Sequence, residues 1–343
     1  MYRRDLPAPV PAAGEVLIRV KACGLNNTDI NTRSGWYSKD VTEATTGAAH
    51  AQVSDTDSTW GGAGITFPRI QGADVCGIVE GVGAGVGEAL IGKRVITDNW
   101  LRDASHPDNM DKAGYYGSER DGGYAEYTTL PLTNIGVIDC GLSDAELATF
   151  SCSYSTAEGM LNRANVTPRD RVLITGASGG VGSALIQLVK RRGAMAIAMA
   201  SEGKHDALQA LEPDALLPRS PQDLPAALEA ATGHRDVTVV ADVVGGPFFT
   251  NLINALARGG RYTCSGAIAG PIVALDLRTF YLRDLTFTGS TVVAPHVFTD
   301  LIGYIERGEI KALVAKTFPL SEIKAAQEAF IAKTHIGNIV VIP

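Results

Sequence analysis

"TGASGGVGSA", Thr175 to Ala184, is the stretch on which the reading of this chain turns. Ahead of it, "RVLITGA" (171–177) is an apolar run that predicts a buried strand. Behind it, "VGSALIQLVKRRG" sets Val181, Ala184, Leu185, Leu188 and Val189 on one helical face, with Lys and Arg in the last turn and Gly193 as a stop. Glycines between a strand and a helix let the backbone approach a pyrophosphate, and the helix N-terminus offers unpaired N–H donors and a favourable dipole. Ser178, Gly179, Gly180 and Val181 are the candidate contacts, and Gly182 would let helix and strand pack closely. The alternative reading is a plain tight turn.

Working outward, the rhythm from about Leu142 is alternating strand and helix. "AMAIAMA" (194–200), a short "ALL" strand, "DVTVVADVV" (236–244), "RYTCSGA" (261–267) and "DLTFTGS" (284–290) read as buried strands. Helical segments near 204–212, 222–232 and 248–258 separate most of them. Such alternation predicts a doubly wound parallel sheet with helices on both faces. The tail adds two amphipathic helices, "PHVFTDLIGYIERGEI" and "SEIKAAQEAFIAK", and a last strand, "GNIVVIP". Residues up to about 138 carry short β-type runs, "EVLIRV", "VCGIVEGVG", "KRVITD" and "YAEYTTL", which predict a compact, largely antiparallel barrel-like domain. Two irregular segments interrupt it, one between Trp36 and Pro68 and one from Asn99 to Gly123.

The bulk numbers narrow the function classes. The 343 residues are 45% hydrophobic and 20% charged, room for two domains with their own cores. A net charge of −7 with interspersed signs argues against a nucleic-acid footprint. No apolar run reaches the roughly 18 residues of a membrane span, and the first residues lack a signal-peptide core. Five scattered cysteines, with no C-x-x-C pair, suit a reducing cytosol. The expectation is a cytoplasmic protein acting on a small molecule.

An acid about 20 residues past the glycine loop would grip the ribose of NAD. Here Ala200 and Ser201 are followed by "EGK", with Glu202 one residue late. Ser201 and Lys204, joined by Arg219 after the third strand, could instead hold a 2′-phosphate by hydroxyl, ammonium and guanidinium. NADP(H) is the expected cofactor, against a reading of Lys204 and Arg219 as solvated surface charges.

In the first half, "CGLNNTDI" (23–30) ends the strand "EVLIRVKA" on two amides, a hydroxyl and a carboxylate. From the residues alone it is either a turn closed by Asn and Asp or a site.

Several blocks resemble the medium-chain dehydrogenase/reductase superfamily in order: "GEVLIRVKACGLNNTDI", "GADVCGIVEGVG", "DGGYAEYTTLP", "VLITGASGGVGSALIQLVK", "ARGGRYTCSGAIAGP", "FPLSEIKAAQEAF" and "GNIVVI". The resemblance implies a GroES-like β-barrel catalytic domain (1–138 and 293–343) and a Rossmann domain (139–292), with the cofactor in the cleft between them. Members usually carry another strand pair ahead of the first block, where this sequence opens almost directly with "YRRDLPAP". Zinc-dependent members have Cys-His where this chain has Asn26-Asn27, and Gly-His-Glu where it has Gly72-Ala73-Asp74. The third ligand position alone matches, at Cys152 in "FSCSYST", so no metal is expected. The zinc-free branch of quinone oxidoreductases and enoyl reductases resembles "GLNNTD" and "RSGWY" instead. That likeness places Tyr37 near the substrate, Tyr154 and Thr156 at the nicotinamide end, and the Gly266 and Ala267 backbone beside the ring. It also implies a homodimer, by edge pairing of the "DLTFTGS" strand.

Without a Lewis acid, oxidising an unactivated alcohol is hard, whereas a conjugated carbonyl needs only a hydrogen-bond donor for its developing enolate. Asn26 or Asn27, Thr28 and Tyr37 are the candidate donors. The expected activity is zinc-independent, NADPH-dependent reduction of a quinone or α,β-unsaturated carbonyl. The alternatives are an alcohol dehydrogenase of the same superfamily and a cofactor-binding protein with little turnover. Bland readings stand beside these: Thr28 as a turn cap, Asp29 as an acid for backbone N–H groups, Tyr37 as a packing aromatic, His106 as a solvated loop residue, and Tyr115 and Tyr116 as loop packing, with a role in the pocket as the alternative for these two tyrosines.

Overall fold

The computed structural model describes residues 2–48, 60 and 65–343. About half of the first irregular segment therefore lies outside the described residues. The chain forms two compact units, one of residues 1–41, 47–155 and 294–343, the other of residues 42–46 and 156–293.

The first unit is built on the strand Glu15–Gly24. Its alternation is strict: Val16, Ile18, Val20 and Ala22 point inward and are buried, the residues between them only partly so. It pairs antiparallel with Asp74–Val82, Tyr127–Pro131 and Asn338–Ile342, so the last strand of the chain is stitched to the first. Arg94–Thr97 and Ile135–Val137 extend the sheet on one side, and Val314–Pro319, parallel to Asn338–Ile342, on the other. The segment 99–123 is less irregular than its composition suggests, since Trp100–Leu101 and Gly114–Tyr115 form a small antiparallel ladder.

Residues 139–155, which the strand–helix rhythm assigns to the second domain, pack on this sheet. The short helix Asp144–Leu147 lies against Glu15–Gly24 and Asp74–Val82, close enough that a Cβ at Gly24 would sit 2.3 Å from the Ala148 carbonyl. Asn338 Nδ2 donates to the Thr149 carbonyl, and Asp74 accepts from the Cys152 N–H. The boundary falls at 155/156 because these polar ties, not the helical periodicity, decide which core a segment joins.

The second unit is a six-stranded parallel sheet in the order Ala215–Pro218, Met195–Ala200, Arg171–Ile174, Val237–Asp242, Leu256–Cys264, Thr286–Gly289. The direction of winding reverses between Arg171–Ile174 and Val237–Asp242, the point at which such sheets open a crevice beyond their strand ends. The helix Gly180–Arg191 buries Ala184, Leu185, Leu188 and Val189 and packs on Arg171–Ile174 and Met195–Ala200. A core of Leu173, Ile197, Leu217, Leu228, Val240, Phe249 and Leu256 lies against the sheet.

Some expected boundaries shift. The segment 204–212 is two 3₁₀ turns around a one-turn helix, His205–Leu208. The helix expected over 248–258 is Phe249–Asn254, because the next strand already begins at Leu256.

Gly182 is buried where helix and strand meet. A Cβ there would stand 2.2 Å from the Gly176 carbonyl and 2.6 Å from Ala177 Cα, backbone atoms that cannot swing aside. Gly182→Ala should cost about 1–3 kcal/mol of stability, the usual penalty of overpacking. Gly203→Ala, whose Cβ meets nothing within 4 Å, should be near neutral. Calorimetric unfolding of both variants checks this, and a Gly182→Ala protein as stable as Gly203→Ala contradicts it.

Candidate functional site

In the second unit the glycine loop sits at the winding reversal. Gly176 adopts φ +57°, and Gly179 is the N-cap of Gly180–Arg191. No side chain caps the helix start, so its first N–H groups face outward as an anion cradle. Ser178 and Lys204 meet here, the Lys204 ammonium 3.4 Å from Ser178 Oγ. Burial, and then the nearby Arg219 guanidinium, hold the Lys204 pKa below its ordinary value. Two cations thus converge on the loop. Ser201 is exposed at the start of the turn that carries Lys204. Gly266 and Ala267 follow the strand Leu256–Cys264, where a Cβ on Gly266 would lie 3.0 Å from the Val243 carbonyl. Thr156, half-buried, is the first residue of this unit after the boundary. Glycine-loop backbone and helix start together fit a dinucleotide, with hydroxyls and two cations beside them.

In the first unit "CGLNNTDI" is not a turn. Asn26 is the N-cap of the helix Asn27–Ser34, which ends on Gly35 in the left-handed region. Asp29, in its first turn, is buried and accepts from the Asn26 N–H (2.8 Å), the Gly72 N–H (3.2 Å) and the Tyr124 hydroxyl (2.7 Å). Burial still outweighs these donors and pushes its carboxyl up to about 6. The Tyr37 hydroxyl, raised to about 12 chiefly by burial, is hydrogen-bonded to the side chains of Thr28 and Asn31. Asn27 Oδ1 accepts from Lys333 Nζ at 2.7 Å, outside this group.

A second polar cluster adjoins the first; the sequence reading met Asp74 and Cys152 as ligand positions and Tyr115 as a loop aromatic, and missed Asn99. Asp74 Oδ1 accepts from Asn99 Nδ2 (3.0 Å) and from the Cys152 N–H (2.9 Å). The Tyr115 hydroxyl donates to Cys152 Sγ (3.2 Å) and lies 3.3 Å from Asn99 Nδ2. Burial pushes Asp74 up to about 7, against the Asn26 and Asn99 amides, which favour its charged form. Asn26 Nδ2 and Asp74 Oδ2 are both buried and neither makes a hydrogen bond of full geometry, so the amide acts on the carboxylate only through a loose contact; Asn99 Oδ1 is likewise buried without a full hydrogen bond. Asn99 opens what reads as a loop, so no periodicity marks it. The available signal was a polar residue next to Trp100 at a strand end. Tyr154 is committed elsewhere, its hydroxyl donating to the Lys311 carbonyl.

Two family models match: an alcohol dehydrogenase GroES-like domain over residues 12–139 and a zinc-binding dehydrogenase over residues 180–307. A solved structure from Sinorhizobium meliloti 1021, provisionally described as an alcohol dehydrogenase, is 47% identical with a TM-score of 0.90. That match covers 100% of this chain and 92% of the other. An acryloyl-coenzyme A reductase of Metallosphaera sedula is 26% identical over 98% of this chain and 94% of its own. A quinone oxidoreductase of Lama guanicoe is 25% identical over 98% and 91%.

The donors for a zinc ion are not in place. Asn26 offers an amide and Ala73 a methyl group, leaving the Cys152 thiol and the Asp74 carboxylate, each already hydrogen-bonded. Among the described residues no three His, Cys, Asp or Glu side chains gather closely enough to hold a metal. No described helix is long and apolar enough to cross a membrane.

A carboxyl whose folded pKa exceeds its unfolded value binds its proton more tightly in the folded chain. That stabilisation is complete below about pH 4 and is lost as the pH rises through the folded values near 6 and 7. The melting temperature should therefore fall between about pH 5 and about pH 8, and fall less in Asp74→Asn. Parallel slopes for the two proteins would remove Asp74 from this account.

Proposed function

Because the chain belongs to the medium-chain dehydrogenase/reductase superfamily and is an NAD(P)-dependent oxidoreductase, we propose that it reduces a conjugated carbonyl, enone or quinone, with NADPH and without zinc. The observation that carries this reading is the Asn26 amide, buried beside Asp74 without a hydrogen bond of full geometry, at the position where a metal-dependent relative would place a ligand.

The second unit is assigned the dinucleotide. Gly179, Gly180 and Val181 offer backbone N–H groups to the pyrophosphate, and Ser178, Ser201, Lys204 and Arg219 take the 2′-phosphate. Thr156, Gly266 and Ala267 border the nicotinamide. When bound, the reduced nicotinamide supplies a hydride.

The first unit is assigned the carbonyl. Asn26 Nδ2 donates to the substrate oxygen, which gains charge as the β-carbon accepts the hydride and the π-electrons move onto oxygen. An amide fixed in a water-poor setting stabilises that charge without reorganising. Thr28 and Tyr37, already linked to each other, keep the adjacent wall polar and rigid. A solvent proton on the α-carbon, or on oxygen for a quinone, completes the reduction. Asn26→Ala should lower kcat by about 100-fold, as loss of one such donor does, with NADPH binding unchanged.

The reading is tested by NADPH and NADH consumption with quinones and enones, and by a parallel panel of alcohols with the oxidised cofactors. Turnover of alcohols alone, with zinc in elemental analysis, would instead favour a metal-dependent dehydrogenase. Lys204→Ala with Arg219→Ala should raise the KM for NADPH about tenfold to 100-fold and change that for NADH by less than about threefold, since each cation makes a charge-assisted bond to phosphate. Equal weakening of both cofactors would sink the 2′-phosphate assignment.

A further inference from the structure

Five aromatic rings adjoin the polar cluster. Trp36 meets Tyr37 at 5.6 Å between centroids, and Tyr37 meets Trp60 at 5.1 Å. Trp60 touches Trp100 at 5.6 Å and Tyr115 at 5.9 Å, and those two close at 5.1 Å. Trp60 is therefore the centre, in contact with three other rings. Trp100 and Tyr115 are only 5% and 4% exposed, while Tyr37 and Trp60 are half-buried.

This panel is held by one carboxylate. Glu119 Oε1 accepts from the Trp60 N–H (3.1 Å), and its Oε2 accepts from the Tyr115 N–H (2.7 Å). Trp60 comes from one of the segments that read as loops, Trp100, Tyr115 and Glu119 from the other. Tyr115 belongs to both parts of the site, its ring in the panel and its hydroxyl on Cys152 beside Asn99. Next to it stand a 92% buried donor and a fully buried acceptor, Asn26 Nδ2 and Asp74 Oδ2, neither of which has a hydrogen bond of full geometry, although the Asn26 amide is close enough to favour the charge on Asp74.

We propose that Trp60 and Tyr115 determine specificity, selecting a planar cyclic conjugated ketone or quinone whose ring lies on the panel and whose oxygen is taken by Asn26 Nδ2. This rests on the reductase reading above and narrows it. Flat apolar ring surface pays best against a flat apolar ligand, and offset or edge contacts each contribute about 0.5–1.5 kcal/mol beyond area. The neighbouring donor–acceptor pair serves both redox forms. A quinone oxygen accepts from Asn26, and a hydroquinone hydroxyl can in addition donate to Asp74. A coenzyme A thioester finds the reverse of what it needs, because the charged side chain that ties the panel together, Glu119, is an acid.

The test compares wild type, Trp60→Ala and Trp60→Phe on a naphthoquinone, the acyclic methyl vinyl ketone and crotonyl-coenzyme A. Wild type should prefer the naphthoquinone. Trp60→Ala should lower kcat/KM for it about tenfold, mostly through KM, and change the acyclic ketone by less than about twofold, whereas Trp60→Phe should keep most of the activity. Equal loss on all three substrates would make Trp60 only a structural residue and overturn the proposal, as would a preference for the thioester. If wild type consumes reduced cofactor with none of them, the reductase reading fails. Calorimetric titration with the naphthoquinone then decides separately: binding weakened in Trp60→Ala upholds the ring subsite, and no binding overturns it.

Discussion

A carboxylate taken out of water must be surrounded by donors or give up its charge, and two of the buried carboxylates of the first unit lie in adjoining clusters at the site. Asp29 and Asp74 are both buried, and much of the local structure follows from satisfying them. Asp29 draws in the start of its own helix, the Gly72 N–H and the Tyr124 hydroxyl. Asp74 draws in Asn99 and the second residue of the helix Ser151–Arg163, a helix start being where a negative charge is best tolerated. Strand, turn and helix are thus tied to one another by hydrogen bonds. An amide and a methyl group stand at two of the three positions where zinc-dependent relatives place ligands, a poor donor set for zinc.

The second unit was legible in the sequence because its logic is local. A parallel strand buried on both faces is a continuous apolar run, and "RVLITGA", "AMAIAMA" and "DVTVVADVV" each announce one. The glycine loop and its helix are adjacent in the chain, so the cradle could be read before the fold was known. The convergence of Lys204 on Ser178 was legible only in part, through residue type at the end of the second strand. The first unit was legible at Glu15–Gly24, where alternation is strict, and far less at the site. There Asp74, Asn99, Tyr115 and Cys152 come from four separated segments and meet only through tertiary packing. "CGLNNTDI" stays open between a turn and a site when read from its residues, because Asn and Asp serve turns and helix starts equally well. A helix of eight residues with polar side chains on its buried face carries no apolar period to betray it. The domain boundary moved for the same reason: capping and carbonyl contacts at 144–155 leave no trace in hydropathy.

The two segments with the least regular composition turn out to share one function in the fold. Trp60 and Tyr115 lie 55 positions apart in sequence, yet Glu119 bonds the backbone of both. A backbone N–H is present whatever the side chain, so Glu119 fixes positions without fixing identities. The ring at either position can change while the frame that presents it stays in place. Chains with the same sheets and the same glycine loop can therefore serve different carbonyl compounds.

The approach of Lys204 and Arg219 has a consequence of another kind. Like charges held near each other repel until an anion comes between them, and burial of Lys204 adds to the strain. Under the NADPH assignment, part of the preference for the phosphorylated cofactor is the release of that repulsion. Such a term is Coulombic and weakens as mobile ions crowd in, over a distance near 10 Å at about 0.1 M salt. Hydrogen bonds from the glycine-loop backbone, common to both dinucleotides, are far less sensitive. Cofactor choice in this protein is then not a fixed ratio but a quantity that slides with the ionic strength around it.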